Sequence, residues 1–167
     1  MTSPASTIEI LDEQQLLSVD ADRMREVARR VLERFESNLA LEILFTDDES
    51  IHDLNVRFLD HDYPTDVITF PLDAEEVHPD DEDDAAAVAG GSIVISVETA
   101  LREAAERNVS PEVEVALYLV HGILHLVGFD DTTEEASSVM DRETGRVLSD
   151  LGFDVSGLGE TFREGVR

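Results

Sequence analysis

The sequence predicts an α+β fold, in which a small mixed sheet of about four strands is packed with about five helices. Two observations predict it. Short apolar segments of strand length alternate with helical patterns along most of the chain, and two helical patterns follow one another near its end. A third observation, the length of 167 residues, allows one domain to bury a sizeable core.

Strands and helices alternate in the first half. Three segments have the apolar pattern of strands: 7–11, 40–46 and 67–71, the last preceded by a turn at 64–66 and stopped by Pro71. After Asp20, apolar residues from Met24 to Phe35 fall on one helical stripe, which predicts the first helix. Residues 47–60 begin with acidic residues and have apolar residues on one side, so they predict the second helix.

The second half adds one strand and three helices. Eight acids within residues 73–87 resist packing, so residues 73–88 are predicted to be a solvated loop. Residues 90–96 have the pattern of a buried strand. Two helices are predicted next: one capped by Ser96 that runs to Asn108, and one started by Ser110, Pro111 and Glu112. A last helix is predicted from about Thr132, with a Thr132–Glu135 capping box at its start and Gly152 at its end.

The domain prediction follows from this order of elements. We expect a single domain over residues 1–152, with the acidic loop at 73–88 as its one long insertion. Residues 153–167 are rich in glycine and polar residues, so we expect a flexible C-terminal tail there.

The charge is strongly acidic. A net charge of −27 comes from 39 acids against 12 basic residues, all of them arginine. Such a chain repels itself and nucleic acid, but about 1 M salt shortens the screening length to roughly 3 Å. The composition therefore predicts a halophilic protein. An acidic protein that works at ordinary salt concentration and an acidic protein that binds a basic partner are the alternatives.

The absence of cysteine, of a signal-like start and of a long apolar run predicts a cytoplasmic location and no membrane partner.

The segment HGILHLVGFDD, residues 121–131, carries the chemistry. His121 and His125 are four apart in the most apolar predicted helix, so both rings lie on one face of a buried helix. Two buried imidazoles cannot both be charged, and a shared cation would use both as neutral ligands. Two core histidines, each bonded to a backbone carbonyl, are the alternative. A zincin-like metal helix is the prediction.

A carboxylate is expected to complete the site. Gly128 ends the helix, and the turn after it can bring Asp131 back to the two rings, with Asp130 as the competing ligand. Three ligands and one open position are the arrangement of catalytic zinc. Zinc peptidases of similar spacing have glutamate as general base where this chain has Gly122, so peptide hydrolysis is disfavoured. Room for a ligand or for a neighbouring strand would explain that glycine.

The sequence resembles the YbeY family of metal-dependent endoribonucleases. The resemblance rests on HGILHLVGFDD (121–131), PTDVITFP (64–71), GSIVIS (91–96) and LNVRFLDHD (54–62). It implies a zinc site formed by His121, His125 and the residue at 131. It also implies cleavage of single-stranded RNA, maturation of the 3′ end of 16S ribosomal RNA, and late-stage ribosome quality control. The implied partners are ribosomal RNA and the small ribosomal subunit or its proteins, with no DNA.

Three positions depart from the family pattern. Asp131 replaces the commonest third histidine, Leu59 stands at the position of an arginine, and Ser92 replaces an aspartate. Carboxylate oxygen ligates zinc as imidazole does, so we expect metal binding to survive. Arg57 either compensates for Leu59 or simply faces solvent. A ribosome-assembly factor with a structural zinc is the alternative function, since the acidic chain has few cations for RNA.

Overall fold

The computed structural model describes residues 7–59, 66–72 and 90–159, together with Phe162. In these ranges the chain forms four strands and five helices, which confirms the predicted α+β class. In chain order they are β1 (Ile8–Asp12), α1 (Ala21–Arg34), β2 (Ala40–Thr46), α2 (Asp48–Leu59), β3 (Val67–Leu72), β4 (Gly90–Ser96), α3 (Val97–Arg107), α4 (Pro111–Leu126) and α5 (Glu134–Asp150). The predicted loop at 73–88 and positions 64 and 65 of the predicted turn lie outside the described residues.

The four strands form one mixed sheet in the order β1-β2-β4-β3. β2 pairs in parallel with both β1 and β4, whereas β3 pairs with β4 in the antiparallel direction. Parallel neighbours need a crossover between them, and α1 supplies it between β1 and β2. β3 lies at the end of the sheet, so its outer edge pairs with no strand among the described residues.

The position of β3 explains one wrong prediction. The strand does not stop at Pro71 but continues to Leu72, which pairs with Gly90. Proline cannot donate a backbone hydrogen bond, and it is tolerated in an edge strand because its nitrogen can face away from the neighbouring strand.

The two faces of the sheet are covered unequally. Side chains alternate along a strand, so Ile93 and Ile95 of β4 point to one face and Val94 points to the other. The first face, called the α4 face here, forms a large core with α1, α3, α4 and α5. The second, the α2 face, is covered by α2 and contains a small cluster whose fully buried members are Ile51, Ile68 and Val94.

α4 packs tightly against β3 and β4. A Cβ atom added at Gly122 would lie 3.0 Å from Cγ2 of Ile93 and 3.2 Å from Cγ2 of Thr69. Both contacts are closer than ordinary van der Waals distance, so a neighbouring strand is the reason for glycine at this position. None of the described helices is both long and apolar enough to cross a bilayer.

Residues 153–159 differ from the flexible tail that was predicted for residues 153–167, of which 160, 161 and 163–167 lie outside the described residues. Gly152, with a φ of +89°, turns the chain back towards the helices. Phe153, Val155 and Leu158 are then buried in the main core, and the Arg23 guanidinium lies 4.3 Å from the centre of the Phe153 ring. Three apolar residues among glycines and polar residues were enough to dock residues 153–158.

Candidate metal centre

α4 begins where the sequence predicts. The Val113 N–H donates to the Ser110 hydroxyl at 3.3 Å, and Pro111 occupies the first helical turn. Counting from this start, residues 114, 118, 121 and 125 are spaced four, three and four apart, so they lie along one stripe of the helix. The two histidines therefore occupy the C-terminal half of a single polar stripe on an otherwise apolar helix.

A Schellman motif ends α4 and reverses the chain. Gly128 has a φ of +113°, its N–H donates to the carbonyl of His125 at 3.2 Å, and the Phe129 N–H donates to the carbonyl of Leu124 at 2.9 Å. Phe129 then packs edge-on against Phe35, with ring centroids 5.3 Å apart. This anchored turn returns the following residues to the histidine rings.

The structure brings the three predicted residues together. Nε2 of His121 and Nε2 of His125 are 3.1 Å apart. Oδ2 of Asp131 lies 3.7 Å from the first nitrogen and 3.6 Å from the second. One ligand atom from each residue can be chosen so that all three lie within 4.8 Å of one another, a group that could hold a metal ion.

The spacing of these atoms fits a shared ion. A tetrahedral ion with bonds of about 2.0–2.1 Å separates its ligand atoms by about 3.3 Å. The Asp131 oxygen faces both rings at distances too long for hydrogen bonds. The alternative of two core histidines, each bonded to a backbone carbonyl, does not describe this arrangement, because the rings point at each other.

Asp130, the competing ligand, is used elsewhere. Its Oδ1 accepts hydrogen bonds from the backbone N–H of Thr132 at 3.2 Å and from the Thr132 hydroxyl at 3.0 Å. Thr132 is thus part of the turn, and the predicted Thr132–Glu135 capping box is wrong. Thr133 caps α5 instead, since its hydroxyl accepts from the Ala136 N–H at 3.0 Å. With Asp130 bonded inside the turn, Asp131 is the carboxylate that faces the rings.

The electrostatics of the site favour a neutral His121 ring. Burial lowers the pKa of His121, and His125 lowers it further, while the carboxylates of Asp131 and Asp66 act in the opposite direction. A lowered pKa keeps the imidazole uncharged near neutral pH, with a nitrogen lone pair free to bind a cation. Both histidine side chains are about 29% exposed, so the site is reachable from solvent.

The same stripe carries a buried acid that was not predicted from the sequence. Glu114 is completely buried, and its carboxylate oxygens make no hydrogen bond. Nε of Arg107 approaches one of them to 3.4 Å, without good hydrogen-bond geometry. Burial raises the pKa of Glu114, although Arg107 opposes the shift. The signal that could have found it was an acid seven residues before His121, two helical turns away on one face.

The structure also places the residues that depart from the family pattern. Ser92 of β4 alternates with Ile93, so it points to the α2 face, away from the histidines. Arg57 lies in the last turn of α2, which covers that same face, and its side chain is exposed; its compensation for Leu59 stays a prediction. Leu59 is the last residue of α2, and the structure describes only its backbone.

Comparisons with known proteins find similarity over most of the chain. The family described as endoribonuclease YbeY matches residues 9–152. An endoribonuclease YbeY of Rhodopirellula baltica is 40% identical over 111 residues, which cover 65% of this chain and 52% of that protein. Another, of a Sulfurovum species, is 32% identical over 150 residues, covering 90% of this chain and 95% of the relative. The solution structure of TM1509 from Thermotoga maritima has a similar fold, with a TM-score of 0.56 at 24% identity over 86% of this chain and 91% of that one.

Proposed function

The chain belongs to the YbeY family, and on that premise we propose that it is a metal-dependent endoribonuclease that cleaves single-stranded RNA. Its proposed role is maturation of the 3′ end of 16S ribosomal RNA and late-stage ribosome quality control. The convergence of two imidazoles and one carboxylate supports the proposal most directly. Gly122 has no side chain to move a proton, so the peptidase chemistry of related spacings is disfavoured.

Zinc is the ion we propose for the site. Two imidazole nitrogens and one carboxylate oxygen suit zinc, and the same donors also bind iron(II) or nickel. His121 and His125 would supply neutral nitrogen donors, and Asp131 would supply the negative charge. Zinc bound there would polarise a phosphate oxygen or lower the pKa of a water towards about 7. The half-exposed Asp131 leaves the solvent side of the group open to a phosphodiester.

The ribosome is the proposed source of the substrate. A chain with a net charge of −27 has little attraction for free RNA, and phosphate contacts weaken further as salt rises. Delivery by the small subunit or its proteins, in the cytoplasm, would overcome both problems. A small cleft lined by arginine is the competing solution.

The test measures cleavage of a single-stranded ribosomal RNA fragment in high salt, with metal content determined on the same untagged protein. We expect about one zinc per chain in the wild type. We expect His125→Ala to lose the metal and to cleave RNA at least about a hundredfold more slowly, because one of the three proposed metal ligands is removed. Equal cleavage by wild type and His125→Ala would contradict the proposed site.

Two neighbouring aspartates provide a matched control. Asp131→Ala should lose metal and activity, whereas Asp131→His, the ligand most common in the family, should retain both. Asp130→Ala should keep metal and activity, because the hydrogen bonds that Asp130 makes with described residues lie inside the turn. A metal-free variant that still joins small subunits and supports their maturation would favour the non-catalytic assembly factor.

A further inference from the structure

The last turn of α2 carries an aromatic side chain that the core does not enclose. Phe58 is 65% exposed, more than any other large apolar side chain in the described ranges. Its ring packs edge-on against Phe70 of β3, with centroids 5.8 Å apart and planes at 77°. An edge-to-face pair leaves ring surface available for another aromatic group. Single exposed apolar residues are common, so exposure by itself carries no conclusion.

The residue before Phe58 provides a second, independent observation. Arg57 is exposed and makes no ion pair or hydrogen bond with any described residue. Every other arginine in the described ranges has an acidic partner or another polar contact. In a chain with 39 acids and 12 arginines, a guanidinium that has no partner among the described residues and that precedes an exposed ring is a distinctive pairing.

The position of this pair relates it to the candidate metal centre. Phe70 follows Thr69 in β3, so the two side chains point to opposite faces of the sheet. Thr69 contacts α4 at Gly122, next to His121, and Phe70 contacts Phe58 on the α2 face. Thr69, which contacts Gly122, and Phe70, which contacts Phe58, are therefore consecutive residues of β3 on opposite faces of the sheet. A flexible polymer that crosses this edge strand passes from the aromatic pair to the part of α4 that carries His121.

We propose that Phe58, Phe70 and Arg57 form a binding site for a nucleotide of single-stranded RNA, in which the base stacks on Phe58 and Arg57 contacts an adjacent phosphate. The inference rests on the proposed function, because it supplies the substrate with a subsite outside the cleavage centre. Stacking on aromatic side chains is sequence-tolerant and does not require positive charge. It is the form of RNA contact that a strongly acidic protein in salt can best retain.

The patch suits a nucleotide better than a protein. A specific protein interface covers about 800 Å² on each partner, whereas α2 exposes Val56 and Phe58 as its only large apolar side chains among those described. One ring with one cation matches the dimensions and chemistry of a base and its phosphate.

The experiment measures binding of a fluorescently labelled, single-stranded 2′-O-methyl RNA to the full chain by anisotropy. We expect Phe58→Ala to raise Kd about tenfold through loss of one stacked base. Phe58→Trp should stay within about twofold of wild type, because indole also stacks. Arg57→Gln should reduce the slope of log affinity against log salt by about 0.7, the value for one phosphate contact in a single strand.

Matched surface variants control for general effects. Leu16→Ala removes another exposed apolar side chain, and Arg25→Gln removes an arginine that is paired with Asp22. Neither should change Kd or its salt slope. Thermal unfolding of each variant confirms that the fold is intact, which is expected because Phe58 is mostly exposed. An abasic nucleotide scanned along the RNA should weaken wild type at one position and leave Phe58→Ala unaffected there.

Cleavage of unmodified RNA, measured in parallel, separates this inference from the proposed function. Phe58→Ala should raise KM with little change in kcat, because Phe58 does not touch the candidate metal centre. If wild type cleaves RNA while Phe58→Ala binds it equally well, the subsite is overturned and the nuclease stands. If Phe58→Ala weakens binding but wild type cleaves nothing, the subsite stands and the nuclease fails. An effect of Phe58→Ala on protein association alone would also overturn the subsite.

Discussion

The two faces of the sheet differ in how closely they are packed. On the α4 face, a large apolar core packs α4 against the strands so closely that glycine is needed at position 122. On the α2 face, few of the described residues are fully buried, and the far end of α2 exposes Phe58. The converging side chains of the candidate metal centre belong to the tightly packed face.

α2 is held on its face by a polar anchor at its first residue. Oδ1 of Asp48 accepts hydrogen bonds from the hydroxyls of Ser96 at 2.5 Å and Thr99 at 2.6 Å, and Oδ2 lies 3.2 Å from Nη1 of Arg102. These polar contacts at one end of α2 help to hold the helix against the sheet, as apolar packing does for α4. The candidate metal ligands, which need accurate placement, thus lie on the more closely packed face, and the more lightly packed face carries the exposed Phe58.

The largest expected effect comes from truncating matched isoleucines on the two faces. Ile93→Ala, on the α4 face, should lower the free energy of unfolding by about 4 kcal/mol, near the upper end for such truncations. Ile68→Ala, on the α2 face, should cost about 2 kcal/mol, because its smaller cluster can collapse around the lost atoms. Urea unfolding of both variants measures the difference. Equal losses would remove the distinction between the faces.

Adding a side chain at Gly122, where α4 contacts the sheet, should have the next largest effect on stability. Gly122→Val should cost about 3 kcal/mol, because its side chain must displace Ile93 and Thr69 or push α4 away from the sheet. The displacement would also move both histidines, so bound metal should fall in the same protein. Gly122→Ala is the smaller step of the series. A stable Gly122→Val variant with full metal content would show that α4 is not held as closely as its contacts indicate.

Loss of the charge that anchors α2 should have a moderate and pH-dependent effect. Burial alone would raise the pKa of Asp48, but hydrogen bonds from Ser96 and Thr99, together with Arg102, outweigh it and lower the pKa. The carboxylate therefore contributes stability above its unfolded pKa, and this stability is lost as pH falls through the lower folded value. Asp48→Asn should cost about 2 kcal/mol near pH 7.

The deficit of Asp48→Asn should shrink below about pH 4. Chemical unfolding across this pH range measures it, with Asp22→Asn, on an exposed site of α1, as the control. A deficit that does not change with pH would mean that the shape of the side chain, and not its charge, holds α2.

The smallest effect concerns a weakness in the well-packed face. Burial raises the pKa of Glu114 against the opposing effect of Arg107, so its contribution to stability is present below the unfolded pKa and is lost as pH rises through the folded one. Glu114→Gln removes this loss and should stabilise the chain by about 1 kcal/mol near pH 8, with a smaller gain near pH 5. Glu112→Gln, exposed and paired with Arg23, should show no such gain. A destabilised Glu114→Gln would show that the Arg107 pair outweighs burial.

Local signals made most of the fold predictable. Capping residues such as Asp20, Ser96 and Ser110 begin helices where expected, because each satisfies a backbone N–H that the helix leaves free. The histidine pair was predictable for the same reason, since helical spacing alone puts both rings on one face. The preference for Asp131 over Asp130 came from the turn after Gly128 and from the family resemblance. The hydrogen bonds that hold Asp130 inside that turn could not be predicted, because either aspartate could have made them.

Features that depend on contacts between residues far apart in the chain could not be predicted from the sequence. The continuation of β3 through Pro71 depends on β3 being the edge strand, which only the pairing of all four strands determines. The docking of Phe153 and Leu158 depends on a surface built by other helices. The halophilic character stays a prediction, since charge composition describes an environment that the fold itself does not reveal.

All three residues of the candidate metal centre lie within eleven consecutive positions, 121–131. Their assembly therefore closes only a short loop, and the entropy lost on closing a loop grows with its length. A helix and the turn that ends it could present the group before the sheet is complete. A cation captured by so local a unit would be available early in folding, so metal supply could influence how fast the chain folds as well as how stable it becomes.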